Sequence, residues 1–194
     1  MRPPNLRFES PAVIFGNAIG DHLLTLPALR AIASLFPSHL SLICMPRSRR
    51  NFFSDLRLRS VCEIKMPGSG SRGRNFAAAR VATRVGRCDL FLSVNPWHSR
   101  SMDRLLNLLS PGLSIGLSPA FQVALPKDLS KHAADLAFGV PAYLRPSLRL
   151  EDFAYPPRLP APCRVRVRQF LKEAAPGMRI LAVHTETKAE RLWP

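Results

Sequence analysis

Residues 11–21 read PAVIFGNAIGD, a short apolar run that stops at a glycine and continues to a second glycine and an aspartate. The run 11–15 combines β-branched and aromatic side chains, which favour a buried strand. Apolar side chains then recur at helical spacing, at Leu23, Leu26, Leu29, Ile32, Ala33 and Phe36. This stretch predicts a strand, a turn and a helix, with Pro27 near the start of the helix and Pro37 marking its end.

The alternation of strand and helix continues along the chain. Strands are predicted over residues 40–45, 61–66 and 89–94, and a helix over residues 75–85. Further patterns indicate a helix over 102–109, a strand over 113–117 and a helix over 131–138 that ends at Gly139. Strands that alternate with helices in this way predict an α/β fold, in which a parallel sheet carries helices on both faces.

The composition is that of a folded protein with an unusual charge. Hydrophobic residues make up 46% of the 194 residues, which is enough for a packed core and argues against disorder. The 28 basic residues outnumber the 13 acidic ones, giving a formal net charge of +15. Such a field attracts anions, and phosphorylated saccharides, nucleotide sugars, anionic membrane surfaces and nucleic acid all qualify.

Two features bear on where the chain works. Its four cysteines, Cys44, Cys62, Cys88 and Cys163, form no Cys-x-x-Cys pair and no zinc-like spacing, so a reduced, cytoplasmic chain and no metal site are expected. No stretch approaches the ~18–20 apolar residues that span a bilayer, so any membrane contact is expected to be peripheral.

The chain is expected to divide near a proline-rich segment. Residues 1–150 are predicted to form one Rossmann-like domain, and residues 151–162 a linker that cannot hold regular structure for long. Residues 163–194 offer one helix, over 163–175, and one strand, over 179–183. About 30 residues cannot make a nucleotide-binding sheet, so an incomplete second domain is expected.

The turn after the first predicted strand is the strongest candidate site. Gly16 and Gly20 allow a ligand to approach the backbone, and open α/β sheets bind ligands where strands run into helices. Asp21 is therefore a candidate functional carboxylate. The alternative is that Asp21 only caps the helix N-terminus. His22 is interpreted as a histidine on the helix surface.

Residues 18–30 read AIGDHLLTLPALR, which resembles the N-terminal signature of glycosyltransferase family 9, the lipopolysaccharide heptosyltransferases. A Gly-Asp pair, a leucine pair, a threonine and a Pro-Ala-Leu-Arg ending make this match more specific than a glycine pattern. The resemblance implies the first domain of a two-domain GT-B glycosyltransferase, with the acceptor bound by the first domain and the nucleotide sugar by the second. It also implies that Asp21 is the general base.

A second resemblance lies at the other end of the chain. Residues 184–194 read HTETKAERLWP and resemble the donor loop of the same family. The resemblance implies that Thr187 and Arg191 contact the donor diphosphate and that Lys188 assists as a nearby charge. Looser counterparts over 87–92, at 115–116 and at His132 extend the likeness across nearly all of the chain.

Other residues are weaker candidates. Arg47, Arg49 and Arg50 follow the second predicted strand and are expected at the same sheet edge as Asp21, where they would bind an anionic acceptor. Trp97 and His98 follow a later strand and are candidates for lining the acceptor cleft.

One loop imitates a nucleotide-binding motif. Residues 68–73 spell Gly-x-Gly-x-x-Gly, with Asp89 at a plausible distance for a ribose. Asp89 starts a predicted strand rather than ending one, so a basic surface loop is the favoured interpretation.

Together these features predict an inverting, heptosyltransferase-like glycosyltransferase that needs no cofactor and is incomplete in this chain. Its expected partners are a nucleotide sugar such as ADP-heptose and an anionic, lipopolysaccharide-core-like or lipid-linked acceptor. The expected location is the cytoplasm or the cytoplasmic face of the inner membrane. The alternative is a non-catalytic module that binds phosphorylated saccharides or nucleic acid, although no nucleic-acid motif is present.

Overall fold

The computed structural model describes residues 7–16, 19–46, 53–65, 76–158 and 161–174. These fall into two units, one that ends at Arg158 and one that begins at Leu159. Within the described ranges no helix is both long enough and apolar enough to cross a membrane.

The first unit is built on a six-stranded parallel sheet. The strands are β1 (Pro11–Phe15), β2 (Ser41–Cys44), β3 (Ser60–Glu63), β4 (Leu90–Ser93), β5 (Leu113–Gly116) and β6 (Val123–Ala124). Their order across the sheet is β3-β2-β1-β4-β5-β6, and every neighbouring pair is parallel. The predicted Rossmann-like parallel sheet is confirmed. The two-residue β6 was not predicted, because so short a strand carries no period.

Among the described residues, four helices lie in this unit and one lies in the second. They are α1 (Ile19–Leu35), α2 (Ala78–Val85), α3 (Arg100–Leu109), α4 (Ala133–Leu144) and, in the second unit, α5 (Ala161–Ala174). A 3-10 turn over Leu150–Phe153 follows α4. On α5 the side chains of Val165, Val167 and Phe170 are exposed.

Both faces of the sheet are buried, because the central strands carry mostly apolar side chains. Along β1, Val13 and Phe15 join one core cluster, which includes residues of α1 and α4. The alternate side chains Ala12 and Ile14 join a second cluster with residues of α2 and α3. Successive side chains of a strand point to opposite faces, so one run of five residues supplies both cores.

Pro27 and Gly139 do not mark helix ends as the sequence predicted. Pro27 lies in the middle of α1, not near its start, since the helix already begins at Ile19. The amide that Pro27 lacks would have bonded the carbonyl of Leu23, whose side chain is 49% exposed. The helix predicted over 131–138 does not end at Gly139 but runs to Leu144. Burial of Phe138 and Val140 holds the helix together across the glycine.

Arg30 ties the end of the first unit to α1. It is 3% exposed and forms an ion pair with Asp55 at 2.9 Å. It also donates to the carbonyl oxygens of Phe153, Tyr155 and Pro156, and its guanidinium lies 3.6 Å from the centre of the Tyr155 ring. Residues of the proline-rich segment are therefore held against α1 by one buried arginine.

Candidate functional site

The sheet order reverses between β1 and β4, and a buried asparagine joins the ends of these two strands. β1 continues to β2 on one side and β4 to β5 on the other. Asn95 is 1% exposed; its side-chain oxygen accepts the Gly16 amide at 3.0 Å, and its side-chain nitrogen lies 3.5 Å from the Ile14 carbonyl. Such a reversal is where Rossmann-like sheets bind ligands, at the carboxyl ends of the strands. The sequence analysis did not single out Asn95.

Asp21 lies at this reversal, inside the first turn of α1. The helix begins at Ile19, so Gly20 and Asp21 are its second and third residues. Asp21 is therefore inside the helix and not its N-cap, which was the alternative interpretation, and Gly20 belongs to the helix rather than to the turn. The Asp21 side chain is partly exposed, and a carboxylate in a first helical turn is favoured by the positive end of the helix dipole.

A cavity of about 160 Å³ opens beside Asp21, and we call it the Asp21 cavity. It is lined by Asp21, Leu24, Thr25, Val94, Pro96, Trp97, Leu117, Ala133, Leu136 and Ala137. The lining comes from α1, from the chain just after β4 and β5, and from the first turns of α4. This volume is below the ~300–1,000 Å³ that small-molecule sites commonly have, so it suits part of a sugar better than a whole nucleotide sugar.

Chemically, the Asp21 cavity pairs one ionisable group with apolar walls. Among the described lining residues, Asp21 is the only ionisable one, and Thr25 and Trp97 are the only others with a hydrogen-bonding side-chain atom. The ring of Trp97 is 8% exposed. An aromatic and aliphatic wall with one carboxylate at its mouth can hold a sugar face and accept a proton from one hydroxyl.

His22 is not a surface residue, contrary to expectation. It is 4% exposed, its ring meets the edge of the Phe15 ring with centroids 4.8 Å apart, and it stacks on Phe53 at 5.6 Å. The loop that carries Phe53 covers this face of α1, and a helical period cannot reveal such a contact. His22, which follows Asp21 in sequence, therefore packs in the core.

The side chains of Trp97 and His98 lie in different surroundings, although the two residues are neighbours in sequence. Trp97 lines the Asp21 cavity, as expected for a residue that follows a strand at the sheet reversal. His98 is absent from that lining; its Nε2 lies 2.6 Å from Asp103 Oδ1, and its ring contacts Phe121 edge-on at 5.9 Å. Only the tryptophan contributes to the candidate site.

Asp89 lies at the opposite edge of the sheet. It precedes β4, and its carboxylate accepts the backbone amides of Glu9 at 2.6 Å and Ser10 at 3.0 Å, just before β1. Asp89 therefore joins the amino ends of two strands, which agrees with the interpretation that it is not a ribose ligand. At the same edge, burial raises the pKa of the Cys88 thiol to about 12.

Several predicted site residues lie outside the described ranges. They are Arg47, Arg49 and Arg50, the glycine-rich loop 68–73, and the donor-loop residues Thr187, Lys188 and Arg191. Of the candidates within those ranges, the structure brings Gly16, Gly20, Asp21 and Trp97 to the same edge of the sheet.

Comparisons with known proteins find this fold among solved structures. No family model matches the sequence, and no curated protein matches it. The crystal structure of a glycosyl transferase family 9 protein from Veillonella parvula aligns with 88% of this chain and 52% of its own, with a TM-score of 0.65 and 14% identity. Two structures of E. coli heptosyltransferase WaaC align with 70% and 69% of this chain and 48% and 46% of their own. Their identities are 15% and 17%, and their TM-scores are 0.48 and 0.49.

The first of these alignments covers most of the chain at low sequence identity, so the fold is what the two proteins share. The chain spans about half the length of the Veillonella protein. The chain thus has the Rossmann-like α/β fold of about half of a family 9 glycosyltransferase.

Proposed function

We propose that this chain is the acceptor-binding half of an inverting glycosyltransferase in which Asp21 is the general base. The observation that carries the proposal is the position of Asp21, whose carboxylate lines a small cavity at the reversal of the sheet. The family 9 fold and the resemblance of residues 18–30 to the family's signature support the same assignment.

In the proposed reaction a hydroxyl of the acceptor sugar lies beside Asp21. The carboxylate takes the hydroxyl proton while the oxygen attacks the anomeric carbon of the donor. The new carbon–oxygen bond forms as the bond between that carbon and the diphosphate oxygen breaks, and the nucleoside diphosphate leaves with the bonding electrons. Attack opposite the leaving group inverts the anomeric carbon. Gly16 and Gly20 leave the backbone beside the acceptor uncovered by side chains.

The rest of the proposal concerns substrates. The donor is proposed to be a nucleotide sugar such as ADP-heptose, whose diphosphate Thr187, Lys188 and Arg191 would hold in the domain that begins at residue 163. The acceptor is an anionic, lipopolysaccharide-core-like saccharide, which suits a chain of net charge +15. Arg47, Arg49 and Arg50 are proposed to assist its binding. A lipid-linked acceptor would place the protein in the cytoplasm, at the inner membrane surface.

The test is transfer of labelled heptose from ADP-heptose to a core saccharide by the full product of the gene, as wild type and Asp21→Asn. Loss of a general base is expected to lower kcat by about 10²–10⁴-fold and to leave the acceptor KM nearly unchanged. Asp135→Asn is the matched control, because Asp135 is an exposed carboxylate in the first turn of α4 that lines no described cavity. A rate for Asp21→Asn within threefold of wild type would refute the base role.

A further inference from the structure

A second, larger cavity lies where two helices begin on the other face of the sheet. It has a volume of about 450 Å³, and we call it the arginine cavity. Its lining comes from the starts of α2 and α3 and consists of Phe76, Ala77, Ala78, Ala79, Arg100, Ser101 and Arg104. This volume lies within the range of ~300–1,000 Å³ that small-molecule sites commonly have.

The charge of the arginine cavity has one sign. Among the described residues, Arg100 and Arg104 are the only ionisable ones in the lining, and neither is in an ion pair. The nearest carboxylate in sequence, Asp103, is paired with His98 instead. Two arginines therefore face one cavity, with no acidic side chain in the described lining to neutralise them.

The placement of these arginines is unfavourable for the helix itself. Residues four apart lie on the same helix face, so the two guanidinium groups repel each other. Both also lie in the first half of α3, and Arg100 is its first residue, where the helix dipole disfavours positive charge. An anion between them removes both penalties. Side chains that oppose local preference in this way are expected at functional sites.

The start of α2 lines the same cavity through Ala77, Ala78 and Ala79. The N-cap of α2 is Ala77, whose side chain cannot cap the helix. The Ala78 amide donates to the Phe76 carbonyl at 2.9 Å, so it is the positive end of the helix dipole that favours an anion here. Phe76 is held there by its own amide, which donates to Ser101 Oγ at 3.0 Å, so the start of α2 is fixed against α3.

One short segment connects the two cavities. Trp97 lines the Asp21 cavity, and Arg100, three residues later, lines the arginine cavity. Three residues span no more than about 11 Å between Cα atoms. The two cavities are therefore lined by residues that are close neighbours in the segment after β4, and an acceptor of more than one sugar is taken to reach both.

We propose that the arginine cavity binds a carboxylate or phosphate group of the acceptor saccharide, held by Arg100 and Arg104 beside the start of α2. The inference rests on the proposed function, since it takes the acceptor to be the molecule that also reaches Asp21. It assigns the choice of acceptor to a subsite separate from the base: a neutral saccharide of the same shape would leave the two arginines unpaired.

The test is an NMR titration of the 194-residue chain with mannose 6-phosphate, glucuronate and neutral mannose. The expected result is that at least one anionic sugar shifts the amide resonances of Ala79, Ser101 and Arg104, and that mannose does not. If only mannose 6-phosphate or only glucuronate binds, that sugar identifies the group that the cavity recognises. If both bind, the cavity recognises negative charge. Equal binding of mannose, or shifts that avoid the arginine cavity, would overturn the inference.

Matched variants sharpen the result. Arg100→Gln/Arg104→Gln is expected to lower the affinity for the anionic sugar by about 10-fold or more. Arg145→Gln/Arg149→Gln removes two exposed arginines elsewhere and is expected to bind like wild type. Spectra of the free variants that match wild type away from the substitutions show that the fold is intact. Wild-type affinity in the Arg100/Arg104 variant would refute the anion subsite and leave the base role of Asp21 standing.

Discussion

Replacing Arg30 with methionine is expected to destabilise the first unit strongly, although Arg30 does not line the Asp21 cavity. The substitution keeps the length and apolar stem of the side chain and removes its charge. Asp55, whose side chain is 4% exposed, would lose its ion-pair partner. The carbonyl oxygens of Phe153, Tyr155 and Pro156 would lose their shared donor.

The expected magnitude follows from this burial. Removing one partner of a buried ion pair costs about 3–5 kcal/mol, because the other charge is left without compensation. For a unit of this size, 1 kcal/mol shifts the unfolding temperature by about 2–4 °C, so Arg30→Met should lower Tm by about 6–20 °C. Arg30→Lys keeps the charge but not the planar fork of donors, and should fall between wild type and Arg30→Met.

Urea unfolding followed by circular dichroism measures the change, and Arg30→Met/Asp55→Leu completes a double-mutant cycle. The double variant removes both charges, so it should be more stable than Arg30→Met alone. A loss below about 1 kcal/mol for Arg30→Met, or a double variant less stable than the single one, would show that the ion pair does not hold this segment.

Two further predictions concern packing and thiol chemistry. Gly116→Ala would place a Cβ 2.6 Å from the ring of Phe121 and should lower the free energy of unfolding by about 1–3 kcal/mol. The Cβ of Gly139→Ala meets nothing within 4 Å inside α4, so this variant should be more stable than wild type by up to about 1 kcal/mol. A lower unfolding temperature for Gly139→Ala than for Gly116→Ala would contradict the stated contacts. At pH 8 a thiol reagent should label exposed Cys163 at once and Cys88 only on unfolding. Burial raises the pKa of the Cys88 thiol from 9.0 to about 12. The stability that the neutral thiol contributes is therefore complete below pH 9 and is lost between pH 9 and about 12. Over that interval the Cys88→Ala variant should lose less stability than wild type.

The strands and most helices were predictable because their signals are local. The apolar run 11–15 indicates a strand buried on both faces, and the spacing of leucines from Leu23 to Leu29 indicates a helix. The helix ends were less predictable. Proline and glycine were taken as boundaries at Pro27 and Gly139, yet burial of neighbouring side chains outweighed their local cost.

The candidate site was predictable in part. Residues that follow parallel strands gather at one sheet edge, which is why Asp21 and Trp97 were expected near each other and do line one cavity. Asn95 and the arginine cavity were missed, because nothing near them in sequence marks a buried clamp or a pair of helix starts that face each other.

What the amino-acid order determined is the set of elements, since the period of apolar residues and the position of glycines depend only on neighbours along the chain. It also placed a carboxylate just after the first strand. The packing of distant segments decided the rest: the strand order, the burial of His22 under Phe53, and the pairing of Arg30 with Asp55 and with carbonyls more than 120 residues away. Long-range contacts of this kind depend on which faces meet in three dimensions, and a local period carries no information about them.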